Sequence, residues 1–342
     1  RCVCNASFLP CGSTCCPFDY ARDLTLAASG HSPEIASDAA GNVYVLYQVG
    51  TSGLRLATLP AGATTATTEA VVTTSGLRDA ADLAVAPDGT VLIAVHRPGI
   101  GRSGAFDLLS RAPGVSAFTS TSLRPTPPDA FAFDAAVSIS RAPSGDLYAG
   151  CAARSGDGTM GLALPRYDAA LATWASLTTI RTGGAYSRSE LFARDDGFFV
   201  GLHDFTTSNE FYESFTQTAA SIAFLAVATS VTTDGATAAT RGDDDVLIMF
   251  TARTTSGVLD RSDGTPSEVV TFAGAAAGAR SDIDMALDAD GNPALVLHSS
   301  TNRSVSMMVR MPTGGFTSYS WFDSSFLPPA TTSTWMTLDA ER

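Results

Sequence analysis

The stretch ADLAVAPDGTVLIAVH, residues 81–96, decides the fold because it contains two strands and the turn that joins them. Asp-Gly at its centre favours a tight hairpin turn, since glycine adopts a positive φ without steric strain. The run that follows the turn is almost wholly apolar. An apolar run of this length directly after a turn predicts a strand that is buried on both faces.

The same pattern of strand, turn and apolar strand occurs six times. The other copies are PEIASDAAGNVYVLYQ (33–48), VSISRAPSGDLYAGCA (137–152), SELFARDDGFFVGLH (189–203), ATAATRGDDDVLIMFT (236–251) and IDMALDADGNPALVLH (283–298). The turns are centred on Gly41, Gly89, Gly145, Gly197, Asp244 and Gly291. Third strands are predicted at 54–59, 106–111, 161–167 and 304–311, and fourth strands at 118–123, 173–180 and 316–321. Helical periodicity is sustained nowhere, and four strands in about 40 to 50 residues are typical of a β-propeller blade.

A single blade cannot cover its own two apolar faces. Blades that are arranged radially cover one another, so the hydrophobic effect favours a closed ring with few exposed sheet edges. The predicted fold class is therefore all-β, a β-propeller of seven four-stranded blades. Six repeats span about 32–331, and the 42 residues outside them nearly suffice for one more blade.

The two ends of the chain are expected to complete the last blade. The segment TWMTLDAER (334–342) resembles DIDMALDAD (282–290), the innermost strand of the sixth repeat. The C-terminal segment would supply the inner strand and residues 1–30 the outer strands, with 23–28 the best candidate. The chain then divides into a disulfide-braced, Cys-rich segment at 1–30 and propeller repeats at 31–342. The alternative is six blades with a disulfide-rich N-terminal plug.

Cysteine usage predicts an exported protein. Five cysteines crowd into the first sixteen residues and one lies far away: Cys2, Cys4, Cys11, Cys15, Cys16 and Cys151. Clustered cysteines between prolines and glycines are typical of a disulfide knot. The alternative is a metal site, but this segment has neither a nearby histidine nor the two-residue cysteine spacing of a zinc ribbon. Cys151 either pairs with the cluster or lies as a small apolar residue in a strand. The chain begins at Arg1, and we expect a mature chain from which a signal peptide has been removed.

The turns resemble those of a known group of proteins. The pattern D-x-x-G-N-x-Y/V, seen best in SDAAGNVYV (37–45), is similar to that of exported bacterial β-propellers of the broad NHL and Asp-box (BNR) type. The resemblance implies a propeller fold. Such families include lectin-like modules, lyases, lactonases and scaffolds, so it does not choose among functions.

Charge excludes one class of partner. The chain has 34 acidic and 21 basic residues, all of the latter arginine, and a formal net charge of −13. Nucleic-acid binding needs a basic surface, so nucleic acid is not the expected partner. No apolar run approaches the roughly 20 residues of a membrane span, so none is expected.

Alignment on the turns shows two polar positions. The first, seven residues before the turn centre, we call the acidic column: Glu34, Asp82, Ser138, Glu190, Thr237 and Asp284. The second, near the end of the second strand, we call the histidine column: Gln48, His96, Ala152, His203, Thr251 and His298. A hairpin folds the two columns toward each other, which predicts the pairs Asp82–His96, Glu190–His203 and Asp284–His298.

These columns have two interpretations. Carboxylate and imidazole groups commonly form structural hydrogen bonds that satisfy half-buried atoms, and the columns would do so once in each blade. Alternatively they hold a divalent metal in the central channel. Histidine with carboxylate suits zinc or manganese, and a ring of Glu34, Asp82, Glu190 and Asp284 suits calcium.

The loops between second and third strands carry arginines at the same predicted end of the blades. These are Arg97, Arg102, Arg154, Arg253 and Arg303, and with His96, His203 and His298 they form the candidate ligand face. Guanidinium groups bind carboxylate and sulfate in a fork, which favours an acidic sugar or another anionic polymer. The alternative is ordinary solvated charge.

The leading hypothesis is a secreted or surface-attached binding propeller, without catalytic activity, that recognises a carbohydrate or a protein partner. The chain carries neither the G-x-S-x-G elbow nor the H-E-x-x-H motif of hydrolases. The second hypothesis is a lyase or hydrolase acting on an acidic polysaccharide or lactone, with an Asp/Glu–His pair as base and acid and possible assistance from a metal. The third is a structural subunit of an extracellular assembly.

Overall fold

A computed structural model shows the architecture. The described residues are 8–11, 14–17, 30–50, 53–72, 81–97, 105–123, 131–142, 144–155, 160–164, 166–168, 173–174, 178–181, 186–204, 209–217, 222–232, 237–242, 244, 246–252, 256–272, 280–287, 291–299, 304–311 and 314–320. Every regular element among them is a β-strand, as the sequence predicts. Within these ranges no helix is present that could cross a membrane.

A hairpin and three sheets make up the first half of the chain. The hairpin consists of β1 (Phe8–Cys11) and β2 (Thr14–Pro17). Sheet 1 consists of β3 (Gly30–Ser37), β4 (Val43–Val49), β5 (Gly53–Leu59) and β6 (Thr67–Val72). Sheet 2 consists of β7 (Ala81–Val85), β8 (Val91–Arg97), β9 (Ala105–Arg111) and β10 (Thr119–Leu123). Sheet 3 consists of β11 (Phe131–Arg141), β12 (Leu147–Ser155), β13 (Met160–Leu164), β14 (Arg166–Asp168), β15 (Thr173–Trp174) and β16 (Thr178–Arg181).

Three further sheets follow. Sheet 4 consists of β17 (Tyr186–Ala193), β18 (Gly197–Asp204), β19 (Asn209–Gln217) and β20 (Ile222–Thr232). Sheet 5 consists of β21 (Thr237–Arg241), β22 (Leu247–Ala252), β23 (Ser256–Arg261) and β24 (Glu268–Thr271). Sheet 6 consists of β25 (Arg280–Leu287), β26 (Pro293–Ser299), β27 (Ser304–Arg310) and β28 (Phe316–Ser320).

The six sequence repeats correspond one to one with the six sheets. Five sheets are four-stranded antiparallel meanders in which strand order equals chain order. Each tight turn of the sequence pattern joins the first and second strands of a sheet. At Gly41, Gly89, Gly145 and Gly291 the turn glycine has a φ between 76° and 93°, which explains the residue type. The predicted unit of four strands per repeat is therefore confirmed.

Sheet 3 keeps the same plan with two broken strands. β13 and β14 both pair with β12 in one register, so together they form the third strand of the meander. β15 pairs with β14 and β16 with β13, so they share the fourth position.

The second strand of sheet 2 is buried between neighbouring sheets, as its apolar run predicts. In β8, Leu92 and Ala94 pack in a cluster with residues of sheet 3, whereas Ile93 and Val95 pack in a cluster with residues of sheet 1. All four side chains are at most 1% exposed. Full burial of a Leu or Ile side chain contributes about 1.5–3 kcal/mol, so these contacts hold adjacent sheets face to face.

The first strands lie closest to one another. Those of sheets 1 and 2, 2 and 3, 3 and 4, and 5 and 6 are in contact. A cluster containing Phe199, Leu247 and Met249 joins sheet 4 to sheet 5. Nη2 of Arg241, at the end of β21, donates a hydrogen bond to the carbonyl oxygen of Arg141, at the end of β11, at 3.3 Å. One side chain thus joins sheets 3 and 5, so the ends of the first strands converge.

The described residues comprise six sheets and one two-stranded hairpin, and no ladder among them joins the sheets into a closed ring. The segments expected to form a seventh blade, 23–28 and 334–342, lie outside the described ranges. The all-β architecture of repeated sheets is thus established. Seven blades, and the division at residue 30, stay predictions.

Candidate functional site

Asp82 in the acidic column bridges two sheets. Its Oδ1 accepts a hydrogen bond from the backbone N–H of Leu83 at 2.7 Å. Its Oδ2 accepts one from the backbone N–H of Ile139 in sheet 3. The carboxylate of Asp82 therefore satisfies one donor on its own first strand and one on the next.

Ser138, the acidic-column member of sheet 3, makes the equivalent contact one sheet further on. Its Oγ accepts a hydrogen bond from the N–H of Leu191 in sheet 4 at 3.3 Å. Two residues later, Oγ of Ser140 accepts one from the N–H of Ala193 at 2.9 Å. In both sheet pairs the donor directly follows the next member of the column. First strands lie at a sheet edge, where N–H groups lack a ladder partner, and these side chains supply the acceptors.

The other carboxylates of the column occupy corresponding positions in their sheets. Asp284, like Asp82, accepts a hydrogen bond from the N–H of the residue that follows it: its Oδ1 is 2.8 Å from the backbone nitrogen of Met285. Glu34 lies on β3 opposite Leu46, and Glu190 on β17 opposite Gly201. The contacts of Asp82 and Ser138 are structural hydrogen bonds, but the donors observed are backbone N–H groups and not the imidazoles that the structural interpretation expects.

The predicted carboxylate–histidine pairs lie one diagonal step apart. Asp82 is directly opposite Ala94, two residues before His96. Glu190 is opposite Gly201, two residues before His203, and Asp284 is opposite Val296, two residues before His298. His298 lies directly opposite Asp282 instead. Diagonal neighbours on one strand pair are about 7–8 Å apart, a separation that long side chains can still span, so the register alone does not test the predicted pairs.

The histidine column is buried wherever its side chains are described. Gln48 and His96 are each 5% exposed, and Thr251 is 2% exposed. His96 shares a face of its strand with Leu92 and Ala94, which pack toward sheet 3. Burial of this degree gives His96 a place in the packing between two sheets rather than on an open surface. The prediction for His203 and His298, whose positions are known from strand register alone, is not tested.

The predicted metal site can be compared with the structure only at the described residues. Among the residues that the structure describes, no three His, Cys, Asp or Glu side chains are grouped so that they could hold a metal ion. Asp82 uses both carboxylate oxygens for backbone donors. Glu34, Glu190 and Asp284 remain predicted ligands only.

Two of the five arginines of the candidate ligand face lie within the described residues. Arg97 is the last residue of β8, and Arg154 lies near the end of β12, opposite Ala132 and Met160. Both lie within the last residues of a second strand, and not in the loop after it as the sequence predicts; their role in a ligand face stays a prediction. Arg102, Arg253 and Arg303 lie outside the described ranges.

Four of the six cysteines lie within the described residues. Cys11 lies opposite Thr14, Cys15 opposite Pro10 and Cys16 opposite Leu9 in the N-terminal hairpin. Cys151 lies in β12 between Val137 and Ala163 of the flanking strands. Cys2 and Cys4 lie outside the described residues, so the predicted disulfides stay predictions.

The turn of sheet 1, which resembles the Asp-box pattern most, is a closed hydrogen-bond network around Asp38. Oδ1 of Asp38 accepts the N–H groups of Ala40 and Asn42, and Oδ2 accepts from Nδ2 of Asn42 and the hydroxyl of Tyr44. Desolvation raises the pKa of this carboxyl, but the hydrogen bonds, led by that of the Asn42 side chain, outweigh it and hold the pKa below 3.8. Asp38 thus orders the turn as a charged group.

Sequence reasoning missed a group of side chains at the outer seams between sheets. Nη1 of Arg111, the last residue of β9, is paired with Oε1 of Glu69 on the fourth strand of sheet 1. The guanidinium of Arg111 lies over the ring of Phe118, with Cζ 4.7 Å from the ring centroid. We call these three residues the first seam triad.

A second seam triad repeats this arrangement. Nη1 of Arg310, the last residue of β27, is 2.6 Å from Oε2 of Glu268 on the fourth strand of sheet 5. Its Cζ lies 5.8 Å from the ring centroid of Phe316. A signal was present in the sequence, since RAPGVSAF (111–118) and RMPTGGF (310–316) share Arg-x-Pro, glycine and a final Phe.

Comparison with solved structures identifies the fold. A variant of the lectin of Aleuria aurantia in complex with Fucα1-6GlcNAc is 10% identical, with a TM-score of 0.51 over 89% of this chain and 98% of the lectin. The SapL1 lectin in complex with alpha methyl fucoside is 10% identical, with a TM-score of 0.51 over 85% of this chain and 95% of the lectin. The Hadza microbial sialidase Hz136 is 9% identical, with a TM-score of 0.53 over 86% of this chain and 66% of the sialidase.

These neighbours are β-propellers, and at such identity what they share with the chain is the fold. The protein therefore has the architecture of a β-propeller. No protein-family model matches the chain, and no curated protein matches its sequence.

Proposed function

We propose that the protein is a carbohydrate-binding β-propeller without catalytic activity. The observation that carries the proposal is the extent of the likeness to the two lectins, which takes in 95% or more of each lectin chain. Nearly the whole of each lectin chain therefore has a counterpart in this chain. The sialidase, by contrast, is matched over 66% of its length.

The described site chemistry also supports binding over catalysis. A general base needs a carboxylate or imidazole that can reach the substrate proton. Asp82 accepts backbone N–H groups through both oxygens, and His96 is 5% exposed. In sheet 2, therefore, the carboxylate of the proposed acid–base pair bridges two sheets, and the imidazole is buried.

The proposal includes a ligand face at the ends of the second strands. Arg97 and Arg154 occupy this end in sheets 2 and 3. Arginine there suits an acidic sugar, because a guanidinium binds a carboxylate through two parallel hydrogen bonds. A protein partner at the same face is the alternative occupant.

We further propose that the ring has seven blades and that the protein is secreted or surface-attached. The likeness of 334–342 to 282–290 supports closure by the C-terminal segment, and the cysteine-rich hairpin supports export and disulfide bracing. The Asp38 turn supports kinship with bacterial NHL or Asp-box propellers.

A glycan array of neutral and acidic sugars, probed with the full chain, tests the function. We expect binding to a defined subset of glycans, and weaker binding to its acidic members in the Arg97→Ala/Arg154→Ala variant. Arg166→Ala is the matched control, since Arg166 is 51% exposed and pairs with Asp146 of the same sheet at 2.6 Å. Absence of binding by the wild-type chain to every glycan contradicts the proposal.

A further inference from the structure

We infer that the two seam triads, Arg111–Glu69–Phe118 and Arg310–Glu268–Phe316, are equivalent binding sites for a neutral sugar. This inference rests on the proposed carbohydrate-binding function and names two sites for it. It differs from the predicted ligand face, because the triads lie where third strands end and not where second strands end.

The first step concerns hydrogen-bonding capacity. A guanidinium has five N–H donors and a carboxylate about four acceptor positions. In the described part of the chain, the polar contact of Arg111 is that of Nη1 with Glu69 Oε1, and the contact of Arg310 is that of Nη1 with Glu268 Oε2. Each pair thus keeps further donors and acceptors side by side. Adjacent sugar hydroxyls, each a donor and an acceptor, complement such a pair.

The second step concerns exposure. The side chains of Arg111 and Glu69 are 13% and 37% exposed, and those of Arg310 and Glu268 are 30% and 33% exposed. The groups are accessible but partly desolvated, so hydrogen bonds to a ligand compete less with water than they would on an open surface.

The third step concerns preorganisation. In both triads an aromatic ring lies under the guanidinium, and the carboxylate comes from the neighbouring sheet. The arginine is therefore held from two directions before a ligand arrives. A ligand then loses less free energy to side-chain ordering, which favours binding of a small molecule.

The fourth step concerns charge. Each triad contains one cation and one anion, so it carries no net charge at pH 7. An anionic sugar would meet the glutamate carboxylate at the same place, at a cost from like-charge repulsion. The chemistry therefore selects a neutral polyol, and two equivalent sites on one chain would increase avidity for a polymer.

Arg261 offers a matched control. It is also the last residue of a third strand, but it pairs with Asp263 at 3.0 Å and Asp244 at 3.4 Å, both in its own sheet. Its guanidinium therefore does not join two sheets through these contacts. The variant Arg261→Gln removes the same side-chain charge without touching a seam triad.

The test is isothermal titration calorimetry of the full chain with alpha methyl fucoside, methyl α-galactoside and N-acetylneuraminic acid. We expect a neutral glycoside to bind at two sites per chain. Arg111→Gln should leave one site, and Arg111→Gln/Arg310→Gln should weaken binding at both by about tenfold or more, as expected for loss of a charged hydrogen-bond partner. Arg261→Gln should bind as the wild type does.

Glu69→Gln separates binding from folding, because glutamine keeps the side-chain shape and one acceptor oxygen. We expect it to weaken one site while the thermal midpoint and circular dichroism stay near those of Arg261→Gln. Wild-type stoichiometry and affinity in the double arginine variant would overturn the inference and leave the proposed function intact. Binding of N-acetylneuraminic acid alone would also overturn the inference and leave the proposed function intact. Absence of binding to all three sugars would overturn the inference and the proposed function together.

Discussion

At the residue scale, Asp82 shows why an acidic position recurs along this chain. Its carboxylate takes one N–H from its own strand and one from the first strand of the next sheet. Ser138 and Ser140 repeat the contact to the following sheet with a hydroxyl. The common requirement is an acceptor that reaches the edge of the next sheet, and Asp and Ser both meet it.

Replacement of Asp82 should therefore destabilise the fold. We expect Asp82→Ala to lower the free energy of unfolding by about 2–3 kcal/mol, because two part-buried N–H groups lose a charged acceptor. Asp82→Asn should cost less, since its amide oxygen still accepts. Urea denaturation at pH 7 measures both, with Asp196→Ala as control because that side chain is 64% exposed. A cost for Asp82→Ala no larger than that of the control would show that the bridge contributes nothing.

The lowered pKa of Asp38 predicts that the stability of the protein falls at low pH. Its pKa in the folded protein lies below the ordinary value of 3.8. A carboxyl with a lowered pKa contributes stability above its unfolded pKa, and this contribution is lost as the pH falls through the folded value. The wild type should therefore lose stability below about pH 4, and Asp38→Asn should lose less over the same range. Parallel unfolding curves of the two proteins between pH 5 and 2 would be inconsistent with this account.

At the scale of elements, the strands were predictable because their pattern is local. The third and fourth strands observed in sheet 2, Ala105–Arg111 and Thr119–Leu123, differ by one residue at their starts from those predicted. Turn chemistry and apolar runs are encoded within a few neighbouring residues.

The candidate site was harder to predict, because its contacts join residues from different repeats. Alignment found the acidic column but predicted histidine as its partner. The partners observed for Asp82 and Ser138 in the next sheet are backbone N–H groups more than fifty positions away. The seam triads were missed for the same reason, since Glu69 and Arg111 belong to different sheets and no local pattern relates them.

Sheet 5 provides a test of packing between elements. Gly257 lies against the ring of Phe250, and a Cβ atom there would overlap the ring. Phe250 is fully buried in the cluster between sheets 5 and 6, so it has little room to move. We expect Gly257→Ala to destabilise the protein by about 1–3 kcal/mol through overpacking, as measured by urea denaturation. The neighbouring Ser256→Ala should cost much less, and equal costs would contradict the packing described.

At the scale of the whole molecule, the sheets depend on one another for burial. The alternating faces of β8 contact sheets 1 and 3, and those of β22 contact sheets 4 and 6. A sheet at either end of an open row would expose one apolar face to water. The same argument that predicts the repeated sheets therefore predicts that the row closes on itself.

The lyase or hydrolase hypothesis assigns catalysis to a carboxylate–histidine pair within a sheet, and it can be tested on the whole chain. In a binding protein, His203→Ala and His298→Ala should leave glycan binding at the seam triads unchanged. Wild-type chain incubated with acidic polysaccharides or lactones should release no product, as followed by reducing-end or acid-release assays. Turnover that is abolished in His203→Ala would favour the lyase or hydrolase hypothesis instead.

Ring closure by the C-terminal segment is the central claim, and amide hydrogen exchange tests it most directly. Asp82 and Ser138 each accept the N–H of the residue that directly follows the next member of the acidic column. When 334–342 is aligned with 282–290, Met336 corresponds to Asp284. If 334–342 forms the next first strand after sheet 6, the N–H of Thr337 should therefore donate to Asp284. Peptides covering 334–342 should then exchange slowly in the wild type and much faster in Asp284→Ala, while those covering Ile35 stay unchanged. Complete exchange of 334–342 within seconds in the wild type, or loss of protection at Ile35 in the variant, would contradict a ring closed by this segment.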